Sequence, residues 1–409
     1  MINGAKLIWL WSDIVVKLPI CRRKFCISAA YMYLSDRVTT LNDMEGKDTT
    51  VIFFELIQIA IGTREADTFT HTLGNDEWQQ IYDISIKQAV AGIVFLGINK
   101  LPEEKRPHKQ LYMQWFLLCE SIKNKNRKLS KAAEKISQKF AEIGFENTIL
   151  KGQGVAELYP EPLYRIAGDI DIWLKGSRKE IYRYVKSITP DCTPFYHHVD
   201  FNVIKDIEIE VHFTPSWMFN YFTNRTLQKY FEEQQEQQMR NTRTTADGIC
   251  LHAPDNNFNR IFILIHIYRH LFSEGIGLRQ ILDYHMVLSQ GFTQQERDNT
   301  MQLLERLNMR GFAAACMFVL KKVFATKEEF LIAEPDAIQG EFLLNEIMIA
   351  GNFGKFDHRQ NIGPDDNPIK GFFRKLRQCF RFFKFHTREI LFAPLFKIWH
   401  NIWRFVYFR

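Results

Sequence analysis

Two acidic residues within an apolar run are the clearest chemical signal in the sequence. Asp169 and Asp171 stand two apart in residues 165–173, with Gly168 leaving room for another group to approach. Side chains at this spacing point to the same face of a β-strand. Their repulsion is offset if a divalent cation lies between them, and carboxylate oxygens favour Mg²⁺ or Mn²⁺. The pair indicates a metal site, although the same spacing also occurs at solvated strand ends and turns.

A second predicted strand offers a third carboxylate. Residues 207–213 alternate strictly, which places Glu208, Glu210 and His212 on one face. The preceding run 195–204 also predicts a strand, so we expect a hairpin with a tight turn at 205–206. The alternative is a half-exposed strand whose polar face only meets water.

A glycine turn precedes the acidic strand. Residues 147–159 predict a short buried strand, a turn at 152–154 and one or two helical turns. A glycine turn that opens a helix presents backbone N–H groups to an anion, and the helix dipole favours phosphate there. Lys151 and Arg165 add cationic groups that can contact phosphate oxygens.

Together these motifs resemble the family of uncharacterised nucleotidyltransferases, within the DNA-polymerase-β-like nucleotidyltransferase superfamily. The resemblance implies an α+β fold in which a small mixed β-sheet core is flanked by N-terminal helices and a C-terminal helical domain. It is carried by Leu150–Gly152, Tyr159, Pro160, Arg165, Gly168–Asp171 and Glu210–His212, and more loosely by His266, His270, Gly277, Arg279, Asp283 and Gly351–Gly354.

The resemblance also implies roles for single residues. Asp169 and Asp171 would hold the Mg²⁺ or Mn²⁺ ions that bridge a triphosphate. Glu210 would hold the second ion and help to activate an acceptor hydroxyl; we prefer it to Glu208 because it stands two residues before a histidine, as in the family. The nucleotide-binding residues would be Lys151, Gly152, Gln153, Arg165 and Gly168.

The implied reaction is the metal-dependent transfer of a nucleoside monophosphate from an NTP to a hydroxyl of an unknown acceptor, with release of pyrophosphate. One departure from the superfamily is Gln153, which stands where a serine is usual and suggests a catalytically degenerate nucleotide-binding or partner-binding module as an alternative. A glycosyltransferase with a metal-binding DxD pair is a further alternative. Against it, residues 50–144 indicate helices rather than a Rossmann-like nucleotide half.

Downstream histidines complete the predicted pocket. His266 and His270 stand four apart on one helical face. With Asp283 they could form a metal site, but two histidines without a third ligand at fixed spacing are not a zinc signature. We favour a hydrogen-bonded cluster of His270, Arg279 and Asp283, which with His212 and His266 would line the pocket or fix the helices.

Composition sets the remaining limits. The 409 residues suffice for two or three domains. No run approaches the roughly 18 uninterrupted apolar residues of a membrane-spanning helix. Seven scattered cysteines, without a close metal-type pair, fit a reducing compartment, and we predict a cytoplasmic location.

The formal positive charge is concentrated at the C-terminus. Residues 371–409 carry nine Lys and Arg against Glu389 alone, a formal +8, so the remainder sums to −2 within a total of +6. A clear nucleic-acid signal is therefore lacking. The tail interleaves aromatics with cations, which fits peripheral contact with an anionic membrane. A helix pair split near Pro394 that packs onto the protein is slightly favoured.

The predicted organisation has five parts: a poorly defined segment 1–43, a helical region 44–144, a β-sheet core 145–227, a helical domain 228–370 and the tail 371–409. Met44 is the suspected natural start. Residues 228–240 predict either a solvated helix or a mobile flap. Helices are predicted at 51–61, 77–96, 109–143, 178–189, 258–272, 310–325 and 341–350.

Overall fold

Four α-helices open the described chain, as the three- and four-residue spacing of apolar residues predicts. A computed structural model describes residues 47–357, 359 and 368–407. The predicted segment 1–43 and the suspected start at Met44 lie outside these residues. The helices are α1 (Lys47–Ile61), α2 (Asn75–Lys87), α3 (Ala91–Asn99) and α4 (Lys109–Glu142).

The prediction of one helix at 77–96 is wrong, because the chain turns between α2 and α3. Ala89 has a positive φ of 55°. The N–H of Ala89 donates to the carbonyl of Ile86, and that of Val90 to the carbonyl of Ser85. This is a Schellman helix end, which usually has glycine at the left-handed position. Since alanine occupies it here, the sequence carries no visible stop signal.

Four short strands form a mixed sheet in the order β1-β2-β4-β3. Strand β2 pairs antiparallel with β1 and parallel with β4, and β4 pairs antiparallel with β3. The elements of this region are β1 (Asn147–Leu150), α5 (Gly152–Ala156), β2 (Ile170–Leu174), α6 (Arg178–Ile188), β3 (His198–Asp200) and β4 (Ile209–His212). The predicted small mixed sheet is confirmed.

Strands β3 and β4 form the predicted hairpin, but each is shorter than the run of residues that predicted it. Asp206 adopts a left-handed φ of 63° in the turn, and Ile204 and Ile207 form an isolated bridge beside it. The N–H of Ile209 contacts the side-chain oxygen of Asn202 at 3.3 Å. This side-chain contact interrupts the ladder between the bridge and the paired strands.

Helices make up most of the remaining chain. They are α7 (Tyr221–Arg240), α8 (Asn256–Ser273), α9 (Leu278–Leu288), α10 (Gln294–Arg306), α11 (Arg310–Phe324), α12 (Ala337–Ala350), α13 (Pro368–Arg381) and α14 (Phe383–Tyr407), and a two-stranded sheet of β5 (Thr242–Thr244) and β6 (Cys250–His252) lies between α7 and α8. Helix α7 includes residues 228–240, and its Phe231 and Met239 are buried. The mobile-flap alternative for that segment is therefore wrong. The α+β fold class is confirmed.

The sheet separates two hydrophobic clusters, because successive strand residues point to opposite faces. Leu150 and Trp173 join a larger cluster formed with α1, α3, α8, α9 and α11. Ile149 and Ile172 join a smaller cluster with the second half of α4 and with α6. The N-terminal and C-terminal helices thus share one core on one face of the sheet.

The C-terminal helix pair divides at Phe382, with a further kink at His386 (φ −128°, ψ 38°), rather than near Pro394. Phe382 is buried and contacts the rings of Phe272 and Phe342. Pro394 lies inside α14, where it removes one backbone hydrogen-bond donor. The helix continues through it because Ala393 is buried and Phe396 stacks on Trp217 with ring centroids 4.2 Å apart. Among the described residues, no helix combines the length and apolar character needed to cross a membrane.

Candidate active site

A cleft of about 1320 Å³ lies between the sheet and the C-terminal helices. Every residue of the predicted site lines it except Gln153. Gln153 is only 4% exposed, because helix α5 turns that position into the protein. The side-chain oxygen of Gln153 has no hydrogen-bond partner among the described residues.

The register of three strands brings the acidic side chains together. Asp171 lies opposite Leu150 of β1 on one side and opposite Glu210 of β4 on the other. Asp169 immediately precedes β2 and lines the same cleft. Glu208 precedes β4 and is exposed. The neighbour of Asp171 in the sheet is therefore Glu210 rather than Glu208.

Two cationic groups hold the buried Asp171 carboxylate. Lys151 Nζ lies 2.9 Å from Oδ2, and His212 Nε2 lies 2.8 Å from Oδ1. Burial alone would raise the pKa of Asp171, but Lys151 and His212 outweigh it and hold that pKa well below its usual range. Asp171 is thus a fixed negative charge at the bottom of the cleft.

Asp169 is in the opposite electrostatic situation. The charge of Asp171 first, and burial second, raise the pKa of Asp169 to about 6. The described protein groups therefore do not fully neutralise the negative charge that Asp169 would add beside Asp171. A divalent cation would, which is the chemistry expected of paired carboxylates.

Glu210 lies among imidazoles. Its Oε2 is 3.3 Å from His212 Nε2 and 3.0 Å from His198 Nδ1. Burial lowers the pKa of His212, but Asp171 and Glu210 together raise it to about 9. Two groups of three potential metal ligands share Glu210: one with Asp171 and His212, the other with His197 and His198, each with ligand atoms within 4.8 Å of one another.

His197 and His198 were missed by the sequence reasoning. The signal that could have revealed them is the predicted hairpin itself. A turn at 205–206 brings position 198 close to position 212 across the two strands, and the observed register pairs these residues. The alternation of residues along each strand does not by itself show which residues face each other across the two strands, so this contact was not predicted.

The glycine turn is strained at Lys151. This residue has φ 51° and ψ −128°, and Gly152 after it has φ 35°. Non-glycine residues in such conformations are rare and cluster at functional sites. Besides Asp171, the Lys151 ammonium contacts His266 Nε2 at 3.3 Å.

The predicted hydrogen-bonded cluster of His270, Arg279 and Asp283 is wrong in its partners. Asp283 instead accepts two bonds of 2.7 Å from Arg165 and one of 2.7 Å from the Tyr159 hydroxyl. Arg279 donates to the carbonyl of Ile166 at 2.8 Å. His270 lies between Arg269 and Glu274, at 2.7 and 2.9 Å. Sequence spacing identified residues of one wall but could not pair them, because Arg165 and Tyr159 come from a distant segment.

The 351–354 turn supports this wall. A Cβ on Gly277 would lie 2.9 Å from Cα of Asn352, so the turn packs directly on the start of α9. Phe353 has a left-handed φ of 53°. Its ring lies 5.4 Å from the Arg279 guanidinium and 5.1 Å from the His270 ring. This packing brings the 351–354 turn into contact with the residues around Gly277 and Arg279 that line the cleft.

The sequence model of a family described as uncharacterised nucleotidyltransferase matches residues 74–325, which include the four-stranded sheet and every predicted site residue. Among solved structures, an antigenic nucleotidyltransferase-like protein from Paracoccidioides brasiliensis is similar, with 15% sequence identity and a TM-score of 0.29, over 49% of this chain and 93% of that chain. No curated protein shows a significant match.

Proposed function

Because the chain belongs to the family of uncharacterised nucleotidyltransferases, we propose that it transfers a nucleoside monophosphate from an NTP to a hydroxyl of an acceptor. The observation that carries the proposal is the convergence of Asp169, Asp171 and Glu210 at one edge of a large cleft. Carboxylates in this arrangement suit phosphoryl chemistry assisted by divalent cations.

The proposed cofactor is Mg²⁺ or Mn²⁺, held by Asp169, Asp171 and Glu210. The fit rests on the donor set, which is rich in oxygen, and on the repulsion that raises the pKa of Asp169. When bound, the cation supplies charge neutralisation for the triphosphate and acidifies a hydroxyl near it.

The protein groups have separate roles in the proposal. The turn at Lys151 and Gly152 and the open side of Gly168 hold the triphosphate. Arg165 lines the same cleft and adds positive charge, while Asp283 accepts from its Nε and Nη2 and its Nη1 is buried without a partner among the described residues. His212, His266, His270, Arg279 and Asp283 shape the pocket that receives the acceptor or the base.

The reaction proceeds by in-line substitution. The acceptor oxygen forms a bond to the α-phosphorus while the bond to the bridging oxygen breaks, and that oxygen leaves with pyrophosphate. Glu210 is the proposed acceptor of the hydroxyl proton, because it lines the cleft and, unlike Asp171, is not paired with the Lys151 ammonium.

The parts of the chain, its cellular location and the role of the tail are proposed as follows. The sheet core 145–227 supplies the carboxylates, and helices α8, α9 and α14 contribute to the walls of the cleft. The described cysteines are all free, namely Cys119, Cys192, Cys250, Cys316 and Cys379. This supports the cytoplasmic location that we propose.

We also propose that residues 371–409 contact an anionic membrane.

A degenerate nucleotide-binding module is the second candidate. The observation that favours it is Gln153, which is buried instead of facing the cleft. A hydroxyl at this position would contact phosphate in the superfamily. The two candidates differ in turnover but not in nucleotide binding.

The first test is calorimetric titration of NTPs in the presence of Mg²⁺ or Mn²⁺. We expect wild type to bind, and Asp169→Asn to lose the binding that depends on the metal. Glu208→Gln is the matched control, since it removes an exposed carboxylate from the rim of the same cleft. Equal binding by wild type and Asp169→Asn would contradict the assigned site.

The second test identifies the released product. A nucleotidyltransferase releases pyrophosphate, a glycosyltransferase releases a nucleoside diphosphate, and a degenerate module releases neither. An acceptor screen with labelled NTPs therefore separates the three alternatives. Full transfer activity in Asp169→Asn or Asp171→Asn would rule out the carboxylate mechanism.

A further inference from the structure

Two adjacent histidines meet at Glu210. The ring centroids of His197 and His198 are 4.3 Å apart. Consecutive residues of a regular strand point to opposite faces, so this contact requires the chain to leave the strand conformation at His197. The carbonyl of His197 accepts the N–H groups of Phe213 and Thr214, at 2.8 and 3.4 Å, which fixes the departure.

The facing nitrogens cannot all be satisfied by protein groups. His198 Nδ1 lies 3.1 Å from His197 Nε2 and 3.0 Å from Glu210 Oε2. If His198 Nδ1 carries the proton, His197 must carry its own on Nδ1, which is buried without a partner among the described residues. If His197 Nε2 carries it, the lone pair of His198 faces a carboxylate. Either tautomer leaves one buried polar group unpaired, at a cost of about 1–3 kcal/mol.

A metal ion removes the competition among the three facing atoms, while the Nδ1–H of His197 stays without a partner among the described residues. Both imidazoles would then direct a lone pair at the ion, and Glu210 would direct an oxygen. Ligand atoms around a tetrahedral ion bound at about 2.0–2.1 Å lie roughly 3.3 Å apart, close to the observed 3.0 and 3.1 Å. His197 is only 5% exposed, so the ligands are already ordered by packing.

The geometry points to a second metal site, formed by His197, His198 and Glu210, that takes a borderline transition-metal ion such as Zn²⁺ or Co²⁺. Two imidazoles and one carboxylate favour such ions over Mg²⁺, which prefers oxygen ligands. The site shares Glu210 with the proposed oxygen-rich site at Asp169 and Asp171. The second metal site rests on the proposed function only through Glu210, because an ion can bind there whether or not the protein transfers nucleotides.

The site would fix the position of Glu210. This carboxylate lies near the start of the short strand β4, and His198 and His212 are the ion-pair partners of its Oε2. An ion on His197 and His198 would hold one oxygen in place and leave the other for the neighbouring site. The metal content of the protein would then influence how the acceptor is activated.

The test uses untagged full-length protein stripped of metal with a chelator. Co²⁺ is titrated while its visible absorption is recorded, because that absorption strengthens when the ion leaves six-coordinate water for a four-coordinate protein site. Zn²⁺ is then added as a competitor, and its binding is followed by calorimetry. We expect His198→Gln to weaken binding by about tenfold to hundredfold. His71→Gln is the matched control, since this histidine lies outside the cleft in an ion pair with Glu55.

The variants separate this proposal from the proposed function. Asp169→Asn should keep Co²⁺ binding while losing NTP binding that depends on Mg²⁺. Equal Co²⁺ affinity in wild type and His198→Gln, or displacement of Co²⁺ by equimolar Mg²⁺, would overturn the second site and leave the first untouched.

A measurement on wild type alone guards against misfolded variants. A ligand that binds only the native state raises the melting temperature by mass action. We expect Zn²⁺ to raise it at concentrations where Mg²⁺ does not. Equal shifts with both ions, or no shift with Zn²⁺, would overturn the proposal. A smaller Zn²⁺ shift in His197→Gln than in His71→Gln would support it.

Discussion

At the scale of single residues, Lys151 combines an unusual backbone conformation with a buried ion pair. Its φ of 51° is costly for an L-amino acid, yet the conformation places the ammonium 2.9 Å from the Asp171 carboxylate. Backbone strain of this kind, of order 1–3 kcal/mol, persists where surrounding contacts hold it. We therefore expect the ion pair with Asp171 to hold the strained conformation in place.

Two substitutions at Lys151 separate strain from charge. Both Lys151→Gly and Lys151→Ala remove the ammonium, but only glycine accepts the positive φ without cost. We expect the glycine variant to be more stable than the alanine variant by about 1 kcal/mol or more, measured as the free energy of unfolding in urea. Equal stability of the two variants would show that the turn relaxes when the ion pair is lost.

The two aspartates should respond in opposite ways to neutralisation. Asp171 and burial raise the pKa of Asp169 to about 6, so Asp169→Asn should stabilise the metal-free protein at neutral pH by up to about 3 kcal/mol. Asp171→Asn leaves Lys151 and His212 without their buried counter-charge and should destabilise it by about 3 kcal/mol. Urea unfolding in excess chelator measures both. A loss of stability in Asp169→Asn would contradict the repulsion inferred here.

Glu389 is the one acidic residue of the tail 371–409, and it anchors α14 to the start of α7. Its carboxylate accepts the backbone N–H groups of Phe219 and Asn220. Burial nevertheless raises the pKa of Glu389 from its ordinary value of 4.5 to about 7. Ionisation of this residue is therefore unfavourable in the folded state.

The sign of the pH effect follows from that shift. A carboxyl group whose pKa is higher in the folded state contributes stability that is complete below pH 4.5 and lost as the pH rises to about 7. The loss is at most about 3 kcal/mol. We expect the difference in unfolding free energy between wild type and Glu389→Gln to change by this amount across the window. A difference independent of pH would show that Glu389 ionises freely.

At the scale of elements, sequence patterns located the helices and strands better than the breaks between them. Apolar spacing predicted α1, α4 and α8 to within a few residues. The break at Ala89 was missed because it lacks the usual glycine, and the division at Phe382 was missed because Pro394 carries the obvious signal. Tertiary contacts, which local patterns do not encode, decide both.

The candidate site shows the same division between local and distant information. The spacing of Asp169 and Asp171 and the alternation around Glu210 are local, and the structure pairs Asp171 with Glu210 while all three residues line one cleft. The partners of Asp283 and the meeting of His197 with His198 depend on segments brought together by folding. If the two predicted strands had been paired, position 198 would have been placed beside position 212, close to Glu210.

Helix α14 has two different apolar faces. One packs on the protein through Ile390, Ala393 and Phe396, as the favoured tail interpretation expected. The other is solvent-exposed, and its residues are each at least 45% exposed: Leu391, Leu395, Ile398, Ile402, Phe405 and Val406. The tail carries a formal +8, which repels a second copy of the same surface and attracts an anionic one. An acidic membrane is therefore the proposed occupant.

Vesicle co-sedimentation tests this surface without disturbing the core. We expect wild type to pellet with vesicles of phosphatidylserine and phosphatidylcholine, but weakly with phosphatidylcholine alone. Leu395→Glu/Ile402→Glu should abolish pelleting. The control Val51→Glu/Ile338→Glu adds the same charge at exposed apolar positions of α1 and α12 and should retain it. Equal pelleting of the two double variants would contradict membrane docking. A wild-type dimer that only Leu395→Glu/Ile402→Glu dissociates would also contradict it, because the exposed face would then be a protein interface.

Point substitutions are preferable to truncation for this question. A chain ending at residue 370 would lose Ile390 and Ala393 from the core and Glu389 from its backbone partners. Any change in pelleting could then reflect exposed core surface. The double variants leave those contacts in place.

At the scale of the whole molecule, a buried ion pair joins the segment before β2 to the C-terminal helices. Arg165 and Asp283 share two hydrogen bonds of 2.7 Å, and both are buried. Tyr159 adds a third bond to the same carboxylate. Because the sheet and the helices also share one hydrophobic cluster, we expect them to unfold together.

Replacing this pair tests whether it stabilises the molecule or only positions the cleft wall. Removing one partner leaves a buried charge uncompensated, so Asp283→Asn should lower the free energy of unfolding by about 3–5 kcal/mol. Replacing both groups with apolar residues, as in Arg165→Met/Asp283→Leu, removes the desolvation cost of two charges and should restore most of that stability. If the Arg165 guanidinium supplies positive charge to the cleft, the double variant should regain stability in urea unfolding but not NTP affinity in calorimetry. Recovery of both would assign Arg165 no role in binding, whereas recovery of neither would make the pair a structural requirement of the fold.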